Sequence, residues 1–358
     1  MLKKIFLFFL LLGAGASFCS SAYAGDVDWK NNFTFYGDNT EFFEPFRVRE
    51  TLLGQQFKSY LEVSIGGPTA LQVGLFANHP SAMETTTTVL PILSFAYRTA
   101  DSEGLLGTLQ PVHRHGLSEP MEVTTLELTR PIEYGFEWIQ KKGILNCDLF
   151  LDWQQLLVDA NIREIFDYGC SAFLPLIPGL DLEGQCHGYH VGGADTGGLV
   201  RNNLAGGLGM AIKGTLPFLG ASSLEALALG SKDTNRPNYP GPVYGYGLYV
   251  KGSLSPEEGW ELFGIAWVGK DYMTDEGDSN YNSLGADRIY YRSDRNYEEL
   301  GLRRFVTLES GVTFDFELRS HWIEDAWANS IRFIAQVPFD VEVDVHHKET
   351  ASSMDKSN

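Results

Sequence analysis

Apolar and polar side chains alternate along much of this chain, and the alternation is clearest near its C-terminus. Between residues 312 and 318 every second position is apolar, and Asp315 and Glu317 lie among the polar positions between them. The pattern breaks at 325–328 and resumes over 331–343. Because successive side chains of a β-strand point to opposite faces, the pattern predicts a long hairpin with one apolar and one charged face.

The same alternation, interrupted by clusters of Gly, Pro, Asp and Ser, predicts about sixteen strands along the chain, with fourteen as the alternative. Tight turns such as 66–68 and 178–179 alternate with longer connections. The longer connections are 37–49, 111–130, 192–201, 231–241 and 272–287. A soluble β-sandwich would use shorter strands, of about five or six residues, with an apolar inner face.

The first 24 residues predict a secretory signal peptide. Lys3 and Lys4 precede an apolar run over 5–12, and a small-residue stretch ends in Ala22-Tyr23-Ala24. This order is typical of a leader that is cleaved after the last alanine. We therefore expect a signal peptide over 1–24, a β-domain over 25–345 and a polar C-terminal tail over 346–358.

The alternating strands, the alternation of short turns with long loops, and the export signal together resemble a bacterial outer-membrane β-barrel of porin type. The resemblance covers nearly all of the chain after the leader, and no narrower family is identified from it. It implies an all-β, antiparallel, up-and-down transmembrane barrel in the outer membrane, with periplasmic turns and extracellular loops. Such barrels usually end on an aromatic residue, whereas this chain ends in a polar tail.

The resemblance implies a channel for passive diffusion of small hydrophilic solutes or ions. Carboxylates outnumber cations on the predicted lumen face, which favours a weak preference for cations. The alternative is that these charges pair across strands and only stabilise the wall. The candidate selectivity residues are Lys58, Glu62, Glu133, Glu137, Asp148, Asp152, Asp181, Glu183, Lys213, Lys251, Asp315, Glu317, Arg319 and Arg332.

The polar connection 111–130 is a candidate constriction loop, and an outward surface loop is the alternative. Its candidate residues are His113, Arg114, His115 and Glu119. The histidine spacing fits no standard ligand set, so we expect no metal and no cofactor. The acidic stretch 275–280 lacks the spacing of an EF-hand, and it leaves open a loose divalent-cation site.

Two other functions are open to such a barrel. A barrel that serves an export or partner complex is the first alternative, and a lipid-modifying enzyme is the second. An enzyme of the second kind needs a serine, a histidine and an orienting polar group to converge, and no motif marks such a serine. We therefore expect no enzymatic activity.

The expected partners are outer-membrane lipid and lipopolysaccharide, together with small solutes or ions. A net charge of −19 argues against nucleic acid as a partner. Homo-oligomerisation is left open. Cys170 and Cys186 flank the turn at 178–179, which leaves a cross-strand disulfide open as well.

Overall fold

The computed structural model describes residues 26–42, 47–81, 87–110, 113–142, 144–156, 162–192, 199–236, 241–285 and 287–343. The predicted signal peptide and the tail over 346–358 lie outside these ranges, so both domain boundaries stay predictions. Within the ranges, no helix combines the length and the apolar character needed to cross a bilayer.

The described residues form one closed antiparallel barrel of sixteen strands, in which β1 pairs with both β2 and β16. This confirms the predicted fold class. The barrel strands are β1 (Val27–Glu41), β2 (Glu50–Gly66), β3 (Thr69–Pro80), β4 (Thr88–Arg98), β5 (Ser102–Leu109), β6 (Glu133–Gln140), β7 (Asn146–Gln155), β8 (Glu164–Ile177), β9 (Leu180–Gly192), β10 (Arg201–Leu216), β11 (Gly220–Thr234), β12 (Val243–Ser255), β13 (Trp260–Lys270), β14 (Asp294–Thr307), β15 (Thr313–Ile323) and β16 (Ala326–Pro338).

A short seventeenth strand, β17 (Val341–Val343), follows β16 and pairs with the first residues of β1. The prediction of one continuous strand over 331–343 is therefore wrong at 339–340. Pro338 ends β16, since proline cannot donate a hydrogen bond to the ladder. The chain then returns to β1, where an oxygen of the Asp340 carboxylate lies 3.2 Å from the Nζ atom of Lys30.

Two further strand boundaries differ from the sequence predictions. The first strand was expected to end at 36, but β1 continues to Glu41 because Asp38 pairs with Arg332 across the closing seam. A strand expected from about 288 begins only at Asp294. The residues before it belong to a loop that is held by its own backbone hydrogen bonds, in which Tyr291 donates its backbone N–H to the carbonyl oxygen of Ser283.

The apolar faces of the strands point outward. Along β10, Leu204, Leu208, Met210 and Ile212 are exposed, whereas Ala205 and Ala211 on the opposite face are buried. In a barrel that stands in lipid, exposed apolar side chains contact acyl chains rather than water. The structure thus agrees with the orientation that alternation predicts: apolar side chains face lipid and polar side chains face the lumen.

Two long connections on the same side of the barrel fold into its interior. The first, 110–132, contains a 3-10 turn (His113–Gly116) and the short helix α1 (Leu126–Thr129); the second, 271–293, contains a 3-10 turn (Ser279–Tyr281). We call them the first and second inward segments. They bind each other through backbone hydrogen bonds from Val123 to Glu276 (2.8 Å) and from Asp278 to Glu119 (2.9 Å). Their side chains Leu117, Met121, Tyr272 and Tyr281 pack with wall side chains in one buried cluster. This cluster lies on the side of the long loops, which the porin resemblance predicts to be extracellular.

Candidate active site

A histidine, a serine and a glutamate from three consecutive strands meet on the lumen wall beneath the inward segments. Glu299 of β14 lies directly opposite His321 of β15 in the strand register. Ser330 of β16 is the diagonal neighbour of His321, because its own partners are Arg319 and Thr40. The antiparallel register therefore lines up the three side chains across the last three strands of the barrel.

The contacts in this cluster form a series from the Ser330 hydroxyl through His321 to Tyr297 and Glu299. The Nε2 atom of His321 lies 2.8 Å from the hydroxyl oxygen of Ser330. Its Nδ1 atom lies 2.6 Å from the hydroxyl of Tyr297 and 3.5 Å from the nearer carboxylate oxygen of Glu299. The Tyr297 hydroxyl in turn contacts the same carboxylate. A serine, a base and an orienting acid in hydrogen-bond sequence form the arrangement that activates a serine nucleophile.

The surrounding side chains hold His321 in place. Phe42 packs against one side of its ring at a centroid distance of 4.8 Å, and Tyr297 stacks at 6.0 Å. His321 and Glu299 are 2% and 4% exposed, so their contacts are largely shielded from water. Shielding from solvent strengthens the electrostatic coupling between the imidazole and the carboxylate.

A small cavity of about 20 Å³ adjoins this cluster. Ser330 and His321 line it together with the guanidinium groups of Arg47, Arg319 and Arg332. Space of that size accommodates about one water molecule. The site therefore combines a serine hydroxyl, a base and several cations around a position for a small group.

Arg319 links the cluster to the first inward segment. Its guanidinium contacts Glu119 at 2.8 Å, Glu299 at 3.3 Å and Glu317 at 2.8 Å. Burial raises the pKa of the Glu119 carboxyl, but Arg319 and Lys251 outweigh burial and lower that pKa to about 2. Glu119 therefore stays ionised, and its ion pair anchors the inward segment above the catalytic candidates.

The candidate selectivity residues lie on lumen-facing positions, and many of their charges are paired. Glu62 pairs with Arg98 at 2.7 Å, and Asp181 pairs with Lys213 at 3.1 Å. Asp315 likewise pairs with Arg303. This pairing favours a stabilising role for these charges, while their role in selectivity stays a prediction.

The four candidate residues of the constriction loop belong to the first inward segment. Arg114 pairs with Glu122 and with Glu133, the latter at 2.6 Å, while His115 is fully buried. The side chain of His113 lies outside the described part of the structure. The segment folds inward, and its action as a constriction stays a prediction.

The acidic stretch 275–280 has arginine partners where a loose cation site was left open. Asp275 pairs with Arg236 at 3.1 Å, and Asp278 pairs with Arg47 at 2.6 Å. Glu276 receives a bidentate contact from an arginine of the first inward segment. These guanidinium groups supply the positive charge that a cation would bring.

Cys170 and Cys186 lie directly opposite each other on β8 and β9, with their sulfur atoms 3.3 Å apart. Both sit on the lipid-facing side of their strands, and both are free thiols. The register therefore provides the proximity that a cross-strand disulfide needs.

The alternation that puts Asp315 and Glu317 on the polar face of their strand continues to His321, but it does not identify the partners of His321. Ser330, Tyr297 and Glu299 carry no local motif and lie up to 33 residues from one another. A signal existed in the strand register, since pairing of β14 with β15 sets Glu299 against His321. Reading it requires knowledge of the turn lengths to within one residue.

Comparisons with known proteins give one family and one fold. Residues 19–345 match the family described as Lipid A 3'-O-deacylase-type. None of the curated proteins matches this chain. Because a deacylase is an enzyme, the family match shows that the expectation of no enzymatic activity was wrong.

Solved structures of porins share the barrel fold. Acinetobacter baumannii OccAB1 is 10% identical, with 90% of this chain and 99% of that chain covered at a TM-score of 0.57. Pseudomonas aeruginosa OccK8 (OprE) is 10% identical, with 90% and 100% covered at a TM-score of 0.54. At these identities the likeness shows the fold, that of an outer-membrane porin barrel, as the sequence pattern predicted.

Proposed function

The chain belongs to the Lipid A 3'-O-deacylase-type family, and we propose that it is an outer-membrane esterase that hydrolyses an ester-linked acyl chain of lipid A. The observation that carries this proposal is the contact series from Ser330 through His321 to Tyr297 and Glu299. The family name supplies the substrate class, and the cluster supplies groups that suit ester hydrolysis.

In the proposed reaction Ser330 is the nucleophile and His321 is the general base. The Nε2 atom of His321 takes the hydroxyl proton as the serine oxygen attacks the ester carbonyl carbon. The same proton then passes to the departing sugar oxygen, which leaves an acyl-serine. Water, deprotonated by His321, releases the fatty acid and restores the serine.

Tyr297 and Glu299 are proposed to orient the base. A proton on Nδ1 is donated to the Tyr297 hydroxyl, which itself donates to the Glu299 carboxylate. This arrangement leaves Nε2 free to accept the proton of Ser330. The carboxylate also stabilises the imidazolium that forms during the attack, as the acid of a catalytic triad does.

The arginines of the site suit the charges of the substrate and of the transition state. Arg319 and Arg332 line the cavity beside Ser330, where guanidinium groups can donate to an oxyanion. Lipid A is a phosphorylated glycolipid, and guanidinium groups match phosphate geometry. The cavity holds only a water-sized group, so side chains that pack around it must move when the ester binds. One of them is Phe42, which covers the ring of His321.

The position of the site agrees with a substrate in the outer leaflet. Ser330 lies four residues after the start of β16, next to the tight turn at 324–325 on the side of the long loops. At about 3.3 Å per residue, this places it about 13 Å from that end of the strand. Because Ser330 faces the lumen, the proposal requires the acyl-bearing part of lipid A to enter the barrel at this depth.

The test is acyl release from purified lipopolysaccharide in detergent, measured by mass spectrometry of lipid A. We expect Ser330→Ala to lower the rate by about 10³-fold or more, since it removes the nucleophile. Ser320→Ala is the matched control because Ser320 lies on the lipid-facing side of β15, and it should keep the wild-type rate. Heat-dependent gel migration would verify that both variants form barrels. An active Ser330→Ala enzyme would contradict the assignment.

A second candidate function is passage of small hydrophilic solutes, with a weak preference for cations. It is favoured by a lumen cavity of about 720 Å³ whose mixed lining includes the charged side chains Lys58, Glu261 and Arg303. Planar bilayers under a KCl gradient would test it. A steady cation-selective conductance would support this function, whereas a silent barrel or an anion preference would count against it.

A further inference from the structure

A second buried cluster, separate from Ser330, surrounds His115 of the first inward segment. His115 is 0% exposed, and its ring stacks on Phe150 of β7 with centroids 3.7 Å apart. Its Nε2 atom lies 3.0 Å from Glu133, which also pairs with an arginine at 2.6 Å. Its Nδ1 atom lies 3.0 Å from Glu137 and 3.2 Å from Asp148.

The two carboxylates at Nδ1 cannot both be satisfied by the imidazole. A ring nitrogen carries at most one proton, and the contact with Asp148 uses the available direction. The Glu137 oxygen that lies 3.0 Å from Nδ1 receives no proton when Asp148 takes it and has no other hydrogen-bond partner in the described structure, although this side chain is only 2% exposed. The outer oxygen of Asp148 likewise has none. An unpartnered buried carboxylate oxygen is costly unless a cation neutralises it.

A similar cluster of Asp167, His187 and Glu276 lacks this feature. Arg130 makes a bidentate contact with Glu276 at 2.6 and 2.8 Å. One oxygen of Asp167 accepts from Gln154, and the other lies 3.2 Å from His187. The carboxylate oxygens of this cluster therefore have partners within the described structure, and it serves as an internal comparison.

We propose that His115, Glu137 and Asp148 bind a divalent transition-metal ion of the zinc type. The three ligand atoms lie within 4.8 Å of one another, as ligands around one ion do. One imidazole nitrogen with two carboxylate oxygens is a ligand set that zinc accepts, with water in the remaining position. The ion takes the Nδ1 lone pair and neutralises both carboxylates.

The other face of the ring completes this site. With the metal on Nδ1, the proton resides on Nε2 and is donated to Glu133. A carboxylate that accepts the second ring proton of a metal-bound histidine fixes the tautomer and raises the basicity of the ligand. The ion joins the first inward segment, which carries His115, to β6 and β7, which carry Glu137 and Asp148. The site thus fastens the segment to the wall and does not depend on the proposed esterase activity.

The test uses untagged full-length protein in detergent, incubated with Zn²⁺, dialysed and analysed for bound metal. We expect one zinc per chain, at least tenfold weaker binding in Glu137→Gln and His115→Gln, and about 10- to 100-fold weaker binding in Glu133→Gln. His187→Gln is the matched control and should bind zinc like the wild type. A chelator should lower the temperature of the heat-dependent gel shift, and added Zn²⁺ should restore it.

Several outcomes would overturn the proposal. The wild-type protein could bind no zinc, His115→Gln could bind zinc as tightly as the wild type, or His187→Gln could lose zinc binding instead. In the first case His115 is an imidazolium held by carboxylates. If the buried variants do not fold, two measurements still test metal binding. One is the response of the wild type to chelation, and the other is zinc binding by Asp148→Asn, since the side chain of Asp148 is 14% exposed.

Discussion

Replacement of Glu299 by glutamine tests the orienting role of this carboxylate most directly. The substitution keeps the size of the side chain and removes its charge, while Ser330, His321 and Tyr297 remain. If the proposed mechanism is correct, the variant should bind substrate normally and lose stabilisation of the imidazolium that forms when His321 takes the serine proton. We therefore expect a lower kcat with little change in KM.

The size of the loss follows from the geometry. Unit charges 3.5 Å apart, the separation of Nδ1 from the Glu299 carboxylate, attract by about 4 to 5 kcal/mol at an effective dielectric constant of about 20. Arg319 lies 3.3 Å from the other oxygen and offsets part of this attraction. A net loss of roughly 3 to 4 kcal/mol corresponds to a kcat lower by about 10²- to 10³-fold.

Glu317→Gln is the matched control. It removes a carboxylate from the same arginine, which it contacts at 2.8 Å, but no contact joins Glu317 to His321. Initial rates of acyl release at saturating lipopolysaccharide, normalised to the heat-modifiable barrel, should fall strongly for Glu299→Gln and clearly less for Glu317→Gln, which perturbs only the arginine. Equal rates for Glu299→Gln and wild type, or equal losses in both variants, would refute the orienting role.

Two further predictions concern the inward segments and the thiols. A Cβ atom at Gly277 would lie 2.1 Å from the carbonyl oxygen of Pro120, so Gly277→Ala should destabilise the contact between the segments by about 1 to 3 kcal/mol and speed limited proteolysis of the folded barrel. Gly214→Ala is the control, because the added Cβ there meets no atom within 4 Å. Equal proteolysis rates for both variants would contradict the packing. Oxidation by a small disulfide reagent should join Cys170 to Cys186, with loss of two titratable thiols and release of the reduced reagent, and retention of all thiols would contradict their proximity.

The inward segments bear on how the two candidate functions relate. Their contacts with each other and with Arg319 lie inside the barrel on the side of the long loops. The predicted role of the first inward segment as a constriction implies that these contacts narrow the path for solutes. A variant that loosens them, such as Gly277→Ala, should therefore raise conductance in planar bilayers if solutes pass through the lumen.

The sequence by itself determined the barrel and the orientation of its strands. Alternation such as that around Asp315 and Glu317 has a period of two, and this period survives any uncertainty about where a strand begins. It also placed His321 on the lumen side. Strand ends were less certain, and β1 and β14 differ from prediction because tertiary contacts of Asp38 and of the second inward segment set them.

Only the tertiary structure decided which polar residues meet. Ser330, His321 and Glu299 come together because turns of particular length set the register of three strands, and a slip of one residue would turn one of them toward lipid. His115 meets Glu137 and Asp148 because a long connection folds inward, which no periodicity encodes. Periodicity is a local property of the chain, whereas a site depends on register and loop packing, which are set by contacts between distant residues.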